Sequence, residues 1–145
     1  MVAIRIFRRS DIFAVMRLVS DTFQEDYDPS VLIDFYNNWQ NGFLVAEEAN
    51  EIVGVAVGSL PAPNQARMLI LGVDKLWRRK GIGAMLLNSF IQQCLLKGVK
   101  LVTLEVRVTN YEAIEFYKKF KFTIVSTIPH YYKDSSDGYV MHRVL

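Results

Sequence analysis

The segment from Met68 to Lys97 constrains the fold most, because it joins a strongly apolar strand to the best helix of the chain. The strand, Met68–Val73, is a continuous apolar run, which predicts that other elements cover both of its faces. The helix, Ile82–Lys97, carries two adjacent apolar rows and stops at Gly98, a residue type favoured just past a helix end. A chain with such a segment is expected to fold as a sheet with helices packed on it.

The rest of the 145 residues divides into short strands and helices that complete one domain, 1–145. Further strands are predicted at Val2–Phe7, Phe43–Glu47, Ile52–Ser59, Leu101–Val106, Phe122–Thr127 and Tyr139–Val144. Further helices are predicted from Ile12 to Phe23, over Val31–Gln40, and from an Asn110 cap to about Phe120. Pro61–Asn64 is predicted to be a loop. This order of elements predicts an α+β fold with a mixed sheet.

The composition excludes several classes of protein. Hydrophobic residues make up 51% and charged residues 22%, which is typical of a globular domain and unlike a disordered chain. The single cysteine cannot form an internal disulfide, and two histidines are too few for a zinc cluster, so we expect no metal and a cytoplasmic location. A net charge of +2 is too small to indicate nucleic acid. No apolar run reaches the roughly 18 residues of a membrane span, so we expect no membrane partner.

The turn between the apolar strand and the helix has the chemistry of an anion site. It consists of Arg78-Arg79-Lys80-Gly81-Ile82-Gly83-Ala84 and opens the helix. The first amides of a helix lack intrahelical partners and carry the positive end of its dipole, and glycine lets a phosphate approach the backbone. The turn is not a Walker A loop, and it lacks the third glycine of a dinucleotide fingerprint. Taken alone, it also fits a solvated charged turn or a nucleic-acid patch.

Several motifs together resemble the GNAT superfamily of acyl-CoA-dependent N-acyltransferases. Arg78–Gly83 fits its Gln/Arg-x-x-Gly-x-Gly/Ala pyrophosphate loop, and Leu101–Asn110 is similar to the Leu-Glu-Val-Arg-x-Ser/Thr-Asn stretch of its protein N-terminal acetyltransferase branch. Pro129–Met141 resembles the C-terminal segment of RimI-type enzymes and of the NatA catalytic subunit. The resemblance implies a mixed, mostly antiparallel sheet of six to seven strands flanked by four helices. It also implies acetyl-CoA (coenzyme A) as the co-substrate.

The resemblance assigns one set of residues to acetyl-CoA. The pyrophosphate would lie on the turn residues Arg78, Arg79, Lys80, Gly81, Ile82, Gly83 and Ala84. A backbone amide among Leu71, Gly72 and Val73 would bind the carbonyl oxygen, and Asn110 and Tyr117 would contact the CoA arm. On sequence alone, Gly72 indicates either a strand bulge that faces a ligand or a packing glycine in a crowded strand. One departure from the family is Lys121, where most relatives have glycine. A positive φ there would cost about 1 kcal/mol.

Acetyl transfer to an amine needs a base and an acid near the thioester. Glu105 is the candidate base, because it lies within an apolar strand and burial generally raises the pKa of a carboxyl group towards neutral pH. The alternative is a solvent-facing glutamate that pairs with Arg107 or with a lysine on a neighbouring strand. Tyr117 is the candidate acid, since it lies about two helical turns past Asn110 and a phenol can donate to a thiolate. A core tyrosine is the compatible alternative.

The resemblance places the peptide substrate between two loops, at Glu25, Tyr27, Tyr131 and Tyr132, with simple loop packing as the alternative for the two adjacent tyrosines. An α-amine, with a pKa near 7.8, is easier to neutralise than a lysine amine near 10.4, so a single carboxylate base favours N-termini. Protein or peptide N-termini are therefore the expected substrate. A lysine side chain, a small amine and a non-catalytic acyl-CoA-binding module are the alternatives.

The remaining expectations concern partners and the reaction path. A ribosome or an auxiliary subunit is left open as a partner, and the chain is expected to be a monomer or a weak dimer. Cys94 lies on an apolar row of the predicted helix and is expected in the core rather than at a reaction centre. The amine is therefore expected to attack acetyl-CoA directly in a ternary complex, without a covalent acetyl-enzyme.

Overall fold

The computed structural model describes residues 1–23 and 25–145, and within them a seven-stranded sheet carries helices on both faces. The strands are β1 (Ala3–Ile6), β2 (Phe43–Glu48), β3 (Glu51–Ala62), β4 (Gln65–Val73), β5 (Leu101–Arg107), β6 (Thr123–Ile128) and β7 (Gly138–Val144). The helices are α1 (Ile12–Phe23), α2 (Pro29–Asn38), α3 (Ile82–Leu96) and α4 (Tyr111–Lys119). The predicted mixed sheet with four helices is confirmed. No helix among the described residues is long and apolar enough to cross a membrane.

The strands follow the spatial order β1-β2-β3-β4-β5-β7-β6. Every neighbouring pair is antiparallel except β4 and β5, which run parallel and are connected through α3. A parallel pair needs such a crossover, because its second strand must start at the same end of the sheet as the first. The long apolar helix predicted from the sequence supplies this crossover.

Two apolar clusters lie on opposite faces of the sheet. One contains Leu86 and Phe90 of α3 with Ile114 of α4, and the other contains Val19 of α1 with Leu32 of α2. The expectation that β4 is covered on both faces is confirmed, because β4 contributes buried residues to both clusters. Helices therefore cover the sheet on both faces and bury its central strands.

A β-bulge in β4 explains how one strand reaches both clusters. Val57 of β3 pairs with Ile70, and the next residue, Gly58, pairs with Met68, so Leu69 is the extra residue of β4. A bulge bends a strand and reverses which face its side chains reach. Met68 accordingly packs with α3, whereas Ile70 packs with α1 and α2.

The parallel strands β4 and β5 separate soon after they meet. Only the segment Gln65–Arg67 of β4 pairs with the segment Leu101–Thr103 of β5, although β4 continues to Val73 and β5 to Arg107. We call the point after Arg67 and Thr103, where pairing ends, the fork. Beyond the fork the two strands leave a wedge that opens towards the N-terminus of α3.

Three sequence-based expectations need correction. β3 runs through Pro61 and Ala62, so the predicted loop shrinks to two residues at the end of a longer hairpin. α2 begins at Pro29 rather than Val31, because the Asp28 carboxylate accepts the Ser30 amide at 2.9 Å and caps the helix. Gly72 pairs regularly with Val55 and is not a bulge. A Cβ at Gly72 would approach the Phe23 ring to 3.0 Å, so close packing is what requires glycine there.

Candidate active site

A groove of about 760 Å³ opens in the wedge between β4, the N-terminus of α3 and α4, a volume in the range of ordinary small-molecule sites. It brings together most of the residues predicted to hold acetyl-CoA: Leu71, Gly72, Val73, Arg78, Arg79, Gly81, Ile82, Gly83, Ala84, Asn110 and Tyr117. Lys80 is not among the lining residues, and its ammonium lies 5.7 Å from the centre of the Trp77 ring. Sequence reasoning missed Phe116 and Lys119, which complete the wall on α4.

The N-terminus of α3 presents free backbone amides to this groove. Gly81 precedes the helix with a φ of +78°, a left-handed conformation that favours glycine, and no side chain caps the first turn. The Arg78 Nε–H donates to the Val73 carbonyl at 3.2 Å, which ties the turn to the end of β4. Uncapped amides beside two arginines have the chemistry that binds phosphate groups. A Cβ at Gly83 would make ordinary contacts with the Phe116 ring at 3.6 Å and with Val73 Cγ2 at 3.9 Å.

Tyr117 lies on the groove side of α4 and is both a core residue and a lining residue. Its ring packs against Phe116 and Phe122, with centroids 5.5 and 5.6 Å away. Burial raises the pKa of Tyr117 well above its usual value, so the hydroxyl stays protonated. That hydroxyl makes no hydrogen bond within residues 1–23 and 25–145, which leaves it free to donate into the groove. Asn110 acts as a helix cap, since its Oδ1 accepts the Ala113 amide at 3.2 Å.

A second cavity of about 440 Å³ lies on the other side of β4 and adjoins the fork. It brings together all four residues predicted to bind the peptide, namely Glu25, Tyr27, Tyr131 and Tyr132. Glu105, the candidate base, lines the same cavity. Phe35 of α2 and Leu69, the bulge residue of β4, add apolar wall. We call this space the peptide pocket, after the ligand that the sequence resemblance predicts for it.

Glu105 is paired with Arg67 of β4, which the sequence analysis did not single out. The Arg67 Nη2 donates to Glu105 Oε1, and Nε donates to Oε2 at 3.3 Å. The alternative, in which Glu105 pairs with Arg107 or with a lysine, names the wrong partner. Arg107 instead pairs with Asp134, whose two carboxylate oxygens lie 2.8 and 2.9 Å from its Nη1. The signal for Arg67 was a lone charge near an apolar strand, but only the register of β4 against β5 shows which carboxylate it meets.

The two adjacent tyrosines of the loop before β7 form the outer wall of the peptide pocket. The Tyr131 hydroxyl donates to Glu105 Oε1 at 3.1 Å, and the rings of Tyr131 and Tyr132 meet edge to face at 5.0 Å. The Arg107 guanidinium lies 4.1 Å from the centre of the Tyr132 ring. Burial raises the pKa of Tyr132 to about 12, and burial together with Glu105 raises that of Tyr131. Both hydroxyls are therefore donors at neutral pH.

The groove and the peptide pocket lie next to each other along β4. Leu69 lines the pocket and Leu71 lines the groove, so the strand passes from one to the other within three residues. Burial raises the pKa of Tyr117 in the groove, and the electrostatic interaction with Tyr132 of the pocket adds to this upward shift. The geometry can thus bring two ligands together, one on each side of the fork.

The sequence and the fold both have close counterparts among known proteins. Residues 12–122 match the family model described as the acetyltransferase (GNAT) family. This chain belongs to the GNAT family. Membership assigns acetyl-CoA as the co-substrate, and the uncapped amides, arginines and volume of the groove suit it. A curated relative named N-alpha-acetyltransferase, from Sulfolobus acidocaldarius, is 32% identical over 95% of this chain and 89% of its own length.

Two solved GNAT structures show how similar the architecture is. The crystal structure of Ard1 from Thermoplasma volcanium superposes with a TM-score of 0.95 at 38% identity, and the match covers 99% of this chain and 97% of that one. The structure of Arabidopsis thaliana Naa50 in complex with a bisubstrate analogue superposes with a TM-score of 0.89 at 26% identity, with 99% of each chain covered.

Proposed function

We propose that this GNAT enzyme transfers the acetyl group of acetyl-CoA to the α-amine of protein or peptide N-termini, by direct attack of the amine in a ternary complex. The observation that carries the proposal is the presence of two neighbouring cavities along β4: a groove with uncapped amides, arginines and Tyr117, and a tyrosine-lined pocket that contains the Glu105 carboxylate. The name N-alpha-acetyltransferase of the relative at 32% identity supports the choice of amine.

The groove residues divide the binding of acetyl-CoA between them. The free amides of Ile82, Gly83 and Ala84, together with Arg78 and Arg79, bind the pyrophosphate charge. A backbone amide of the Leu71–Val73 segment, unpaired with β5 beyond the fork, donates to the carbonyl oxygen as charge develops on it. Asn110 and Tyr117 border the arm that carries the thioester.

The acid and the base act from opposite sides of the reaction centre. Glu105 takes a proton from the amine, directly or through one water, and the neutral nitrogen then forms a bond to the carbonyl carbon. The carbon–sulfur bond breaks, and the Tyr117 hydroxyl gives its proton to the leaving thiolate. The nitrogen loses its second proton as the amide forms, and that proton restores the Tyr117 hydroxyl through water. Tyr117 stays protonated until that step because burial raises its pKa.

The choice of an α-amine follows from the weakness of the base. A carboxylate is a weaker base than either amine, so a single carboxylate favours the amine that is more easily deprotonated. A lysine amine costs roughly 3.5 kcal/mol more to neutralise at pH 7 than an α-amine. The tyrosine loop also closes one side of the peptide pocket, which suits a chain end better than a lysine within an extended chain.

The test is acetyl-CoA turnover on short peptides, with the modified amine located by mass spectrometry. One panel varies the first residue, and a matched panel has acetyl-blocked N-termini and one lysine. We expect acetate on α-amines and a loss of about 100-fold or more in kcat for Glu105→Gln, the usual size for a missing general base. Acetate on lysine alone would overturn the proposed substrate. Binding of CoA without any turnover would contradict an enzyme that works without an auxiliary subunit.

A further inference from the structure

Arg67 occupies a special place in the sheet. It is the last residue of β4 that pairs with β5, opposite Thr103, and the two strands separate immediately after it. Glu105 lies two residues beyond Thr103 on the same face of β5, because side chains of a strand alternate between faces. The ion pair between Arg67 and Glu105 therefore spans the fork at the point where backbone hydrogen bonds between the strands end.

The two oxygens of the Glu105 carboxylate have different surroundings. Oε1 accepts two hydrogen bonds, from Arg67 Nη2 and from the Tyr131 hydroxyl. Within the described part of the chain, Oε2 accepts only the Arg67 Nε–H, at 3.3 Å. Each carboxylate oxygen can accept about two hydrogen bonds, so Oε2 keeps one position open. The Arg67 Nη2 also donates to the Tyr131 oxygen at 3.1 Å, which closes a ring of three side chains.

We propose that Arg67 is the positioning residue of the acetyl transfer: it fixes the orientation of the Glu105 carboxylate at the fork and leaves Oε2 as the oxygen that accepts the amine proton. This inference rests on the proposed function, because it assigns the atom at which that reaction's base works. One proton leaves the nitrogen and reaches Oε2, and the Arg67–Oε1 contact stays in place throughout.

Among the charged side chains around Glu105, Arg67 is the one that forms a salt bridge with it. The other titratable side chains of the peptide pocket are Glu25, Tyr27, Tyr131, Tyr132 and Lys133, and Arg107 and His142 lie on the same face of β5 and β7. Arg107 is already balanced by Asp134. Arginine remains charged at every accessible pH, so its contact with Glu105 persists across the whole range of an assay.

The decisive measurement is the split between kcat and KM, with both substrates varied. Arg67→Gln removes the two-point contact that orients the Glu105 carboxylate. Its kcat should therefore fall by about 10-fold or more, while the peptide KM and the Kd for CoA change little. Arg67→Lys keeps the charge but not the two-point contact, so its kcat should lie between those of Arg67→Gln and the wild type.

Arg107→Gln is the matched control, since it removes an arginine that lies against Tyr132 of the same pocket without touching Glu105. It should raise the peptide KM and leave kcat near the wild-type value. Thermal unfolding and the Kd for CoA check that each variant folds and keeps the groove. An Arg67→Gln kcat equal to that of the wild type, with the wild type active on α-amines, would overturn the role of Arg67 and leave the proposed function intact.

Wild-type protein without turnover on any α-amine would overturn the proposed function first, and the role of Arg67 with it. Should Arg67→Gln fail to fold, Arg67→Lys decides the question alone. A lowered kcat with an unchanged peptide KM supports the positioning role, whereas wild-type kcat and KM in Arg67→Lys would contradict it.

Discussion

Tyr117 joins two properties that seldom occur together, a buried ring and a hydroxyl without a hydrogen-bond partner in the described residues. If this hydroxyl protonates the leaving thiolate, Tyr117→Phe should lower kcat by about 10- to 100-fold. This loss lies at or below the low end of the rate effects of general acids, because a thiolate leaves readily without one. The Kd for acetyl-CoA should change little, since the ring remains. Steady-state kinetics and calorimetry measure the two quantities.

Tyr139→Phe is the control for Tyr117, because Tyr139 packs against the same apolar cluster but does not line the groove. Its kcat should equal that of the wild type. Equal losses in the two variants would mean that the Tyr117 hydroxyl serves packing and not proton transfer.

Lys121 adopts the conformation that its family position requires, at a cost. Its φ is +69°, in the left-handed region where a Cβ is disfavoured, as expected if relatives have glycine there. Lys121→Gly should therefore raise the free energy of unfolding by about 0.5 to 1 kcal/mol. This gain is what remains of the relieved strain after the greater conformational entropy of glycine in the unfolded chain is subtracted. Urea unfolding measures this change in the free energy of unfolding.

Lys118→Gly, within α4, is the control and should lower the free energy of unfolding by about 1 kcal/mol. A loss of stability in both variants would refute the assignment of strain to Lys121.

At the scale of single elements, the loop that carries Tyr131 and Tyr132 is held in place from outside the pocket. Asp134 accepts hydrogen bonds from Ser136 and Arg107, and these lower its pKa to about 2. The pair with Arg107 is therefore complete above the usual aspartate pKa of about 3.9 and is lost only as the pH falls towards 2. Across the neutral range the position of the loop does not depend on pH.

Asp134→Asn should loosen this loop and raise the peptide KM several-fold, with a smaller effect on kcat and none on the Kd for CoA. Because Asp134 is ionised throughout, the ratio of mutant to wild-type KM should be the same at pH 6 and pH 8. Asp21→Asn, at an exposed position of α1, serves as the control and should leave the KM unchanged. A KM ratio that grows towards acid pH would assign the loop to a different titrating group.

The elements also show how far the sequence could predict this molecule. Ile82, Asn110 and Glu105 were predictable, because helix starts, caps and a lone carboxylate in an apolar strand are local patterns. The end of β3 and the bulge at Leu69 were not predictable. Pro61 is typical of a loop, and only the pairing of β3 with β4 shows that the strand continues through it. Arg67 was missed for the same reason. Its partner lies 38 residues away, and only the register of β4 and β5 brings the two side chains together.

At the scale of the whole molecule, one structural event creates both cavities. β4 and β5 stop pairing after Arg67 and Thr103. The part of β4 beyond the fork lines the groove together with α3 and α4, and Arg67 and Glu105 at the fork line the peptide pocket. Two ligands held on either side of one strand can react without a carrier on the protein.

Direct transfer predicts that the protein never carries the acetyl group itself. Its one cysteine, Cys94, is fully buried in the α3 cluster, and burial raises the pKa of its thiol to about 12, so no thiolate is available to attack a thioester. Intact mass spectrometry after incubation with acetyl-CoA alone should therefore show the unmodified chain. Initial rates with both substrates varied should give intersecting lines. Parallel lines, or a mass increase of one acetyl group that disappears when peptide is added, would replace the ternary complex with a covalent intermediate.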